Sequence, residues 1–178
     1  MQNELLATAR SYIGTRFHHQ GRLKGKGIDC LGLLVCVAQE LSLVARDGSH
    51  FSAADKIDYS HQPDTQALRN TLDGLLWPLV IPSRHPAEGV ALAQDLSIIN
   101  DEILRSRLRA SQNDSIKPAD IALFSIQGMP QHMGIISDFD GGLGLIHAYA
   151  PAKKVVEHAL DDFWCSKMVC AYRVTSEL

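Results

Sequence analysis

At 178 residues, 46% hydrophobic and 21% charged, the chain can bury one sizeable core without disulfides or metals, so a single domain over 1–178 is expected. A formal net charge of -3 gives none of the basic surface that phosphate neutralisation demands, which argues against nucleic acid as a partner. No stretch approaches the roughly eighteen apolar residues of a membrane span, and Met1-Gln2-Asn3-Glu4 puts no positive segment ahead of an apolar run. Cytoplasmic synthesis without a signal peptide is therefore expected.

Leu5, Leu6, Ala9, Tyr12 and Ile13 recur at helical spacing and end at Gly14, which reads as a short amphipathic helix with a glycine cap. The loop from 15 to 28 carries Gly21, Gly25 and Gly27 among Arg22, Lys24 and Lys26. Asp29 then stands at a helix N-cap position. Leu31, Leu33, Leu34, Val35, Val37, Ala38 and Leu41 make the helix after it apolar nearly all round, hence central and buried.

From Leu43 to about Ile116 the chain reads as a helical insertion. One helix bears Leu68, Leu72, Leu75 and Leu76 and ends at Trp77-Pro78; a less regular one runs over 88–110. Their apolar stripes are too short for an independent core, so they are expected to pack beside the cleft and narrow access to it rather than form a separate domain. The tail changes to β-rich runs at 120–126, 133–139, 143–149 and 168–174 between Gly, Pro and Asp signals. The fold class is therefore α+β, a buried helix packed on an antiparallel β-meander.

Four cysteines, at 30, 36, 165 and 170, have neither zinc-knuckle spacing nor the density of a secreted disulfide scaffold. Of these Cys30 alone starts a helix, where unpaired N–H groups and the macrodipole favour a thiolate, so Cys30 is expected to be the cysteine with a depressed pKa. A base for it near neutrality is a histidine. His50, His61 and His85 lie in polar loops, and His158 sits near a strand end among charged neighbours. Asp140-Gly141 is a hairpin signal: a two-residue loop there puts His132 and His147 on one face as diagonal neighbours, whereas a three-residue loop reverses that parity.

The run Asp29-Cys30-Leu31-Gly32-Leu33 resembles the nucleophile motif of the NlpC-type cell-wall peptidases, a papain-like family. Tyr12 to Gly21 resembles that family's passage from helix to loop. Further on, 116–124, then Gln131-His132-Met133-Gly134-Ile135, then Ile146-His147-Ala148 resemble its strand, base and orienting-residue motifs in order. The resemblance implies a papain-like fold in which Cys30 attacks an amide, His132 is the base, His147 orients it, and the Cys30 N–H contributes to an oxyanion hole. It implies contacts of Asp29, Phe17, His18 and Gln20 with a peptidoglycan stem peptide, cut between D-glutamate's side-chain carboxyl and a diamino acid, with no cofactor and no metal. Leu31 and Phe17, where the family often has Ser and an aromatic hydroxyl, together with the insertion look more like phage-tail and gene-transfer-particle members. That branch implies phage tail proteins as partners and action on the cell envelope from a phage-like particle.

Asp29 can either cap its helix or receive a substrate ammonium. Other readings stay open: an amidase or acyltransferase on the same Cys–His core, a non-catalytic tail-assembly module of the same fold, or a zinc peptidase using His18, His19, His132 and His147.

Overall fold

The structure, a computed structural model, describes residues 1–45, 48–51, 55, 65–79 and 116–174. Helix α1 (Gln2–Arg10) buries Leu5, Leu6 and Ala9, the face its spacing predicts. Regular helix stops at Arg10, short of Gly14, because Tyr12 and Ile13 tighten the chain, donating to the carbonyls of Ala9 and Arg10. Gly14, at φ +88°, then makes the left-handed turn expected of it.

Two short strands, β1 (Arg22–Leu23) and β2 (Gly27–Ile28), pair as a hairpin ahead of helix α2 (Cys30–Glu40). Every residue of α2 from Gly32 to Ala38 is buried, as its all-round apolar pattern requires. Each Leu or Val fully removed from water there contributes about 1.5–3 kcal/mol. The helix lies between α1 on one side and the sheet on the other.

The sheet uses β3 (Trp77–Leu79), β4 (Ile121–Ile126), β5 (Met129–Phe139), β6 (Gly142–Tyr149), β7 (Lys154–Ala159) and β8 (Met168–Arg173). Its order is β3-β8-β4-β5-β6-β7, antiparallel throughout. Alternation along the strands separates two apolar clusters. Ile121, Leu123, Met133, Ile135, Ile146 and Ala148 face α1 and α2. Ala122, Phe124, Ile136 and Leu145 face the other way, toward Trp164 of a short helix α4 (Asp162–Lys167). Arg173 donates to both carboxylate oxygens of buried Asp120, at 2.9 and 3.0 Å, which ties the end of β8 to the start of β4.

Part of the predicted insertion belongs to this core. Helix α3 (Thr65–Leu75) packs against β5, with Leu72 and Leu76 buried in the main cluster. Trp77-Pro78 does end that helix, but the chain continues directly into β3, paired with β8. Proline is placed where sheets admit it, on a strand at the end of the sheet order. The helix expected at 88–110 lies outside the described residues. Among those described, no helix is long and apolar enough to cross a membrane.

Candidate active site

Asp29 caps α2: its Oδ1 accepts from the Gly32 N–H at 2.7 Å. The same oxygen accepts from Arg22 Nη1 at 3.1 Å, and Oδ2 accepts from the Gln20 N–H at 2.7 Å. Arg22 is shared with Asp55, 2.9 Å from its Nε. Asp29 is 3% exposed, so its charge is spent on the cap, the preceding loop and Arg22. A substrate ammonium would have to compete with that guanidinium.

The loop before α2 is held by close backbone approach. A Cβ on Gly32 would strike the Gly21 carbonyl, and one on Gly27 would lie 2.7 Å from the His18 Cβ. His18 is exposed and donates its backbone N–H to Ile28, while Phe17 packs half-buried on the main core. Phe17, His18 and Gln20 thus sit at the N-terminal end of α2 with Cys30.

Cys30 is half-buried, and the backbone N–H of Met133, the residue after His132, acts on its sulfur in the sense that favours the thiolate. Regular pairing of β5 with β6 ends at Ile135↔Ile146, whereas β5 stays on β4 as far as Met129. Helix α2 packs on both β5 and β6. Beside it the register of β4 against β5 shifts, from Phe124↔His132 to Ser125↔Pro130, a bulge of the sort that re-aims a side chain.

His132 and His147 are joined by the two-residue turn the sequence predicts. Asp140 and Gly141 have φ of +48° and +79°, both left-handed as a type I′ turn needs, and Phe139 pairs with Gly142. His132 Nε2 lies 2.7 Å from His147 Nδ1. His147, fully buried, also places its Nε2 3.0 Å from His158 Nε2, and His158 Nδ1 is 2.8 Å from the Ala159 carbonyl. Tyr149 stacks on His147 at 4.9 Å, and Trp164 crosses the row, its ring 5.5, 4.8 and 5.9 Å from His132, His147 and His158.

His158 and Trp164 are absent from the sequence-based site. Strand β7 places His158 opposite Leu145, and thus diagonal to His147 on the same face. Trp164 is set by α4, whose N-cap Asp161 accepts from the Trp164 N–H at 3.0 Å. The sequence signals were Pro151 in a turn after Tyr149 and Asp161 at a cap position.

Desolvation controls the charges. Burial pushes the Cys30 thiol up to about 11, with Asp29 adding in the same sense and the N–H groups of Met133, Leu31 and Cys30 opposing. The expected depression of this pKa is therefore corrected. A helix terminus supplies about 0.3–1 kcal/mol, under one pKa unit, whereas burial moves a group by several. Burial holds His132 down to about 4. It lowers His147 further, with the charges of His132 and His158 adding to burial. At rest the Cys30 thiol and the His132 imidazole are both neutral. The thiols of Cys36 and Cys170 are likewise raised by burial.

This α+β arrangement, a buried helix opening with a cysteine against an antiparallel sheet that carries a histidine pair, is the papain-like fold of the NlpC/p60 proteins. No protein-family model and no curated protein sequence matches the chain. Among solved structures, it is similar to the NlpC/p60 domain of the peptidoglycan hydrolase SagA, at 16% identity and TM-score 0.50, over 97% of this chain and 98% of that one. An NlpC/p60 family protein from Bacillus cereus matches at 13% identity and TM-score 0.54; it covers 98% of this chain, which spans 40% of it. An N-acetylmuramoyl-L-alanine amidase from Bacteroides uniformis matches at 17% identity and TM-score 0.50, over 94% of this chain and 96% of that one. At such identities the likeness is one of fold.

Proposed function

We propose that the chain is a cysteine hydrolase of peptidoglycan stem peptides, with Cys30 as nucleophile, His132 as base and His147 orienting His132. The observation that carries this reading is the histidine pair: His132 is hydrogen-bonded to His147, and the residue after His132, Met133, turns its N–H toward the thiol that opens α2 in the sense that favours a thiolate. A satisfied core needs neither a thiol at that helix end nor paired buried imidazoles beside it.

In this mechanism the Cys30 sulfur attacks the amide carbonyl as its proton passes to His132, so the thiolate forms only as it is consumed. The Cys30 N–H, at the open end of α2, stabilises the oxyanion. Collapse of the tetrahedral adduct breaks the C–N bond, and His132 returns the proton to the departing amine. Water then loses a proton to His132 and attacks the thioester, releasing the carboxylate and the thiol.

We infer an endopeptidase cutting between D-glutamate's side-chain carboxyl and a diamino acid. The amidase among the structural neighbours supports a second reading, cleavage at the sugar end of the stem. Leu31, Phe17 and the segment from 43 to 116 support a phage-tail setting by resemblance alone. Asp29 serves this reading best as a clamp on the substrate loop, with Phe17, His18 and Gln20 lining the approach to Cys30. The test is mass spectrometry of muropeptides after incubation with the chain or its Cys30→Ala variant. New stem fragments from the unmodified chain alone support the reading, and their masses identify the bond. Identical muropeptides in both reactions would sink it.

A further inference from the structure

His147 has both ring nitrogens engaged, and so does His158, so the row His132–His147–His158 ends on the Ala159 carbonyl. That end fixes a direction. A carbonyl oxygen only accepts, so His158 Nδ1 carries a proton and donates it at 2.8 Å. In neutral His158, Nε2 must then accept, and the donor facing it at 3.0 Å is His147 Nε2–H. Neutral His147 has its Nδ1 left as acceptor, so the donor facing that atom at 2.7 Å is His132 Nε2–H. His132 Nδ1 is thereby the bare nitrogen.

We propose that His158 is a positioning residue: anchored on the Ala159 carbonyl, it sets the tautomers of His147 and His132 so that His132 Nδ1 holds the lone pair that takes the Cys30 proton. The proposal rests on the reading of Cys30 and His132 as the reacting pair. The direction of the row follows from hydrogen-bond chemistry independently of it. Without His158, the buried His147 Nε2 has no acceptor in the row, and the opposite tautomer of His147 is no longer disfavoured. That tautomer carries its proton on Nδ1 and makes His132 Nε2 the acceptor. The proton then sits on His132 Nδ1, where it blocks general-base action. Trp164 and Tyr149 pack their rings against His147, the middle of the row.

The experiment is long-range ¹H–¹⁵N spectroscopy of the histidine rings in the full chain near pH 7.5, together with kcat and KM for its His158→Ala and His158→Gln variants. The expected spectrum has His132 protonated on Nε2. His158→Ala is expected to mix the His132 tautomers and lower kcat by about 10-fold with KM within about 2-fold, the pattern of a lost orienting group. His158→Gln, whose amide oxygen can accept from His147 Nε2–H, should keep the tautomer and recover most of kcat. A proton on His132 Nδ1 in the unmodified chain overturns the proposal. So does His158→Ala with both spectrum and kcat unchanged. The ring spectra need no substrate: the expected tautomers in a chain that cuts no stem peptide would refute the proposed hydrolysis while leaving the tautomer assignment standing.

Discussion

Asp29 and Arg22 form a charge pair at 3.1 Å, the carboxylate 4% and the guanidinium 15% exposed, directly before the thiol of Cys30. A buried carboxylate left without its cation costs several kcal/mol, so the loop carrying Arg22 and the start of α2 fold as one unit. The Gln20 N–H on the second oxygen of Asp29 extends that unit toward Phe17 and His18.

A clamp and a substrate receptor predict different outcomes for Asp29→Asn. Asparagine still caps a helix but gives up the charge facing Arg22. As a clamp, Asp29→Asn should lower stability by about 1–3 kcal/mol and leave turnover per folded molecule within about 3-fold. Urea melts and active-site titration together check this. A KM raised by about 10-fold or more at unchanged stability would instead mean that Asp29 holds a substrate ammonium.

His132→Ala should lower turnover of a stem peptide by about 10³-fold or more, whereas His147→Ala should cost about 10–100-fold, because water can replace part of an orienting contact but not the base. Both variants should keep the native far-ultraviolet spectrum. Equal losses in the two would mean that the pair acts as a single inseparable unit.

With the thiol raised and His132 neutral, Cys30 should react with iodoacetamide slowly at pH 6 and faster by nearly 10-fold per pH unit above about pH 8. Peptide mapping after timed labelling would follow each cysteine separately. A fast plateau below pH 7 would reveal a thiolate–imidazolium pair instead and overturn the neutral resting state.

Helices α1, α2 and α3 and the 140–141 hairpin were legible because local rules determine them. An all-round apolar run after Asp29 reads as a buried capped helix, and Asp140-Gly141 reads as a two-residue turn that brings two histidines to one face. Strand β7 was not legible. It lies at the sheet edge, where Lys154, Glu157 and His158 are accommodated beside the buried Val155, so the apolar alternation that marks a strand is diluted. With β7 went His158, and with the short helix α4 went Trp164. The thiol's resting charge was misjudged for a different reason: the helix terminus is visible in the sequence, whereas the burial that outweighs it exists only after packing.

Acid should loosen this fold through the same histidines. Burial lowers His132 from 6.5 to about 4 and lowers His147 in the same direction. Between those values the unfolded chain binds protons that the folded chain refuses, so stability is full above about pH 6.5 and is lost as the pH falls toward 4. The limiting slope is about 1.4 kcal/mol per pH unit for each such histidine. Asp138, held low by Arg10, is lost only below the ordinary carboxylate value of 3.8 and so lies outside this window. Urea midpoints at pH 7.5, 6 and 5 should therefore fall steeply for the unmodified chain. For His147→Gln, which has one buried imidazole fewer to protonate on unfolding, they should fall more gently. Parallel curves for the two would show that the row of histidines is open to solvent, and with it that neither Trp164 nor the sheet keeps the candidate base neutral.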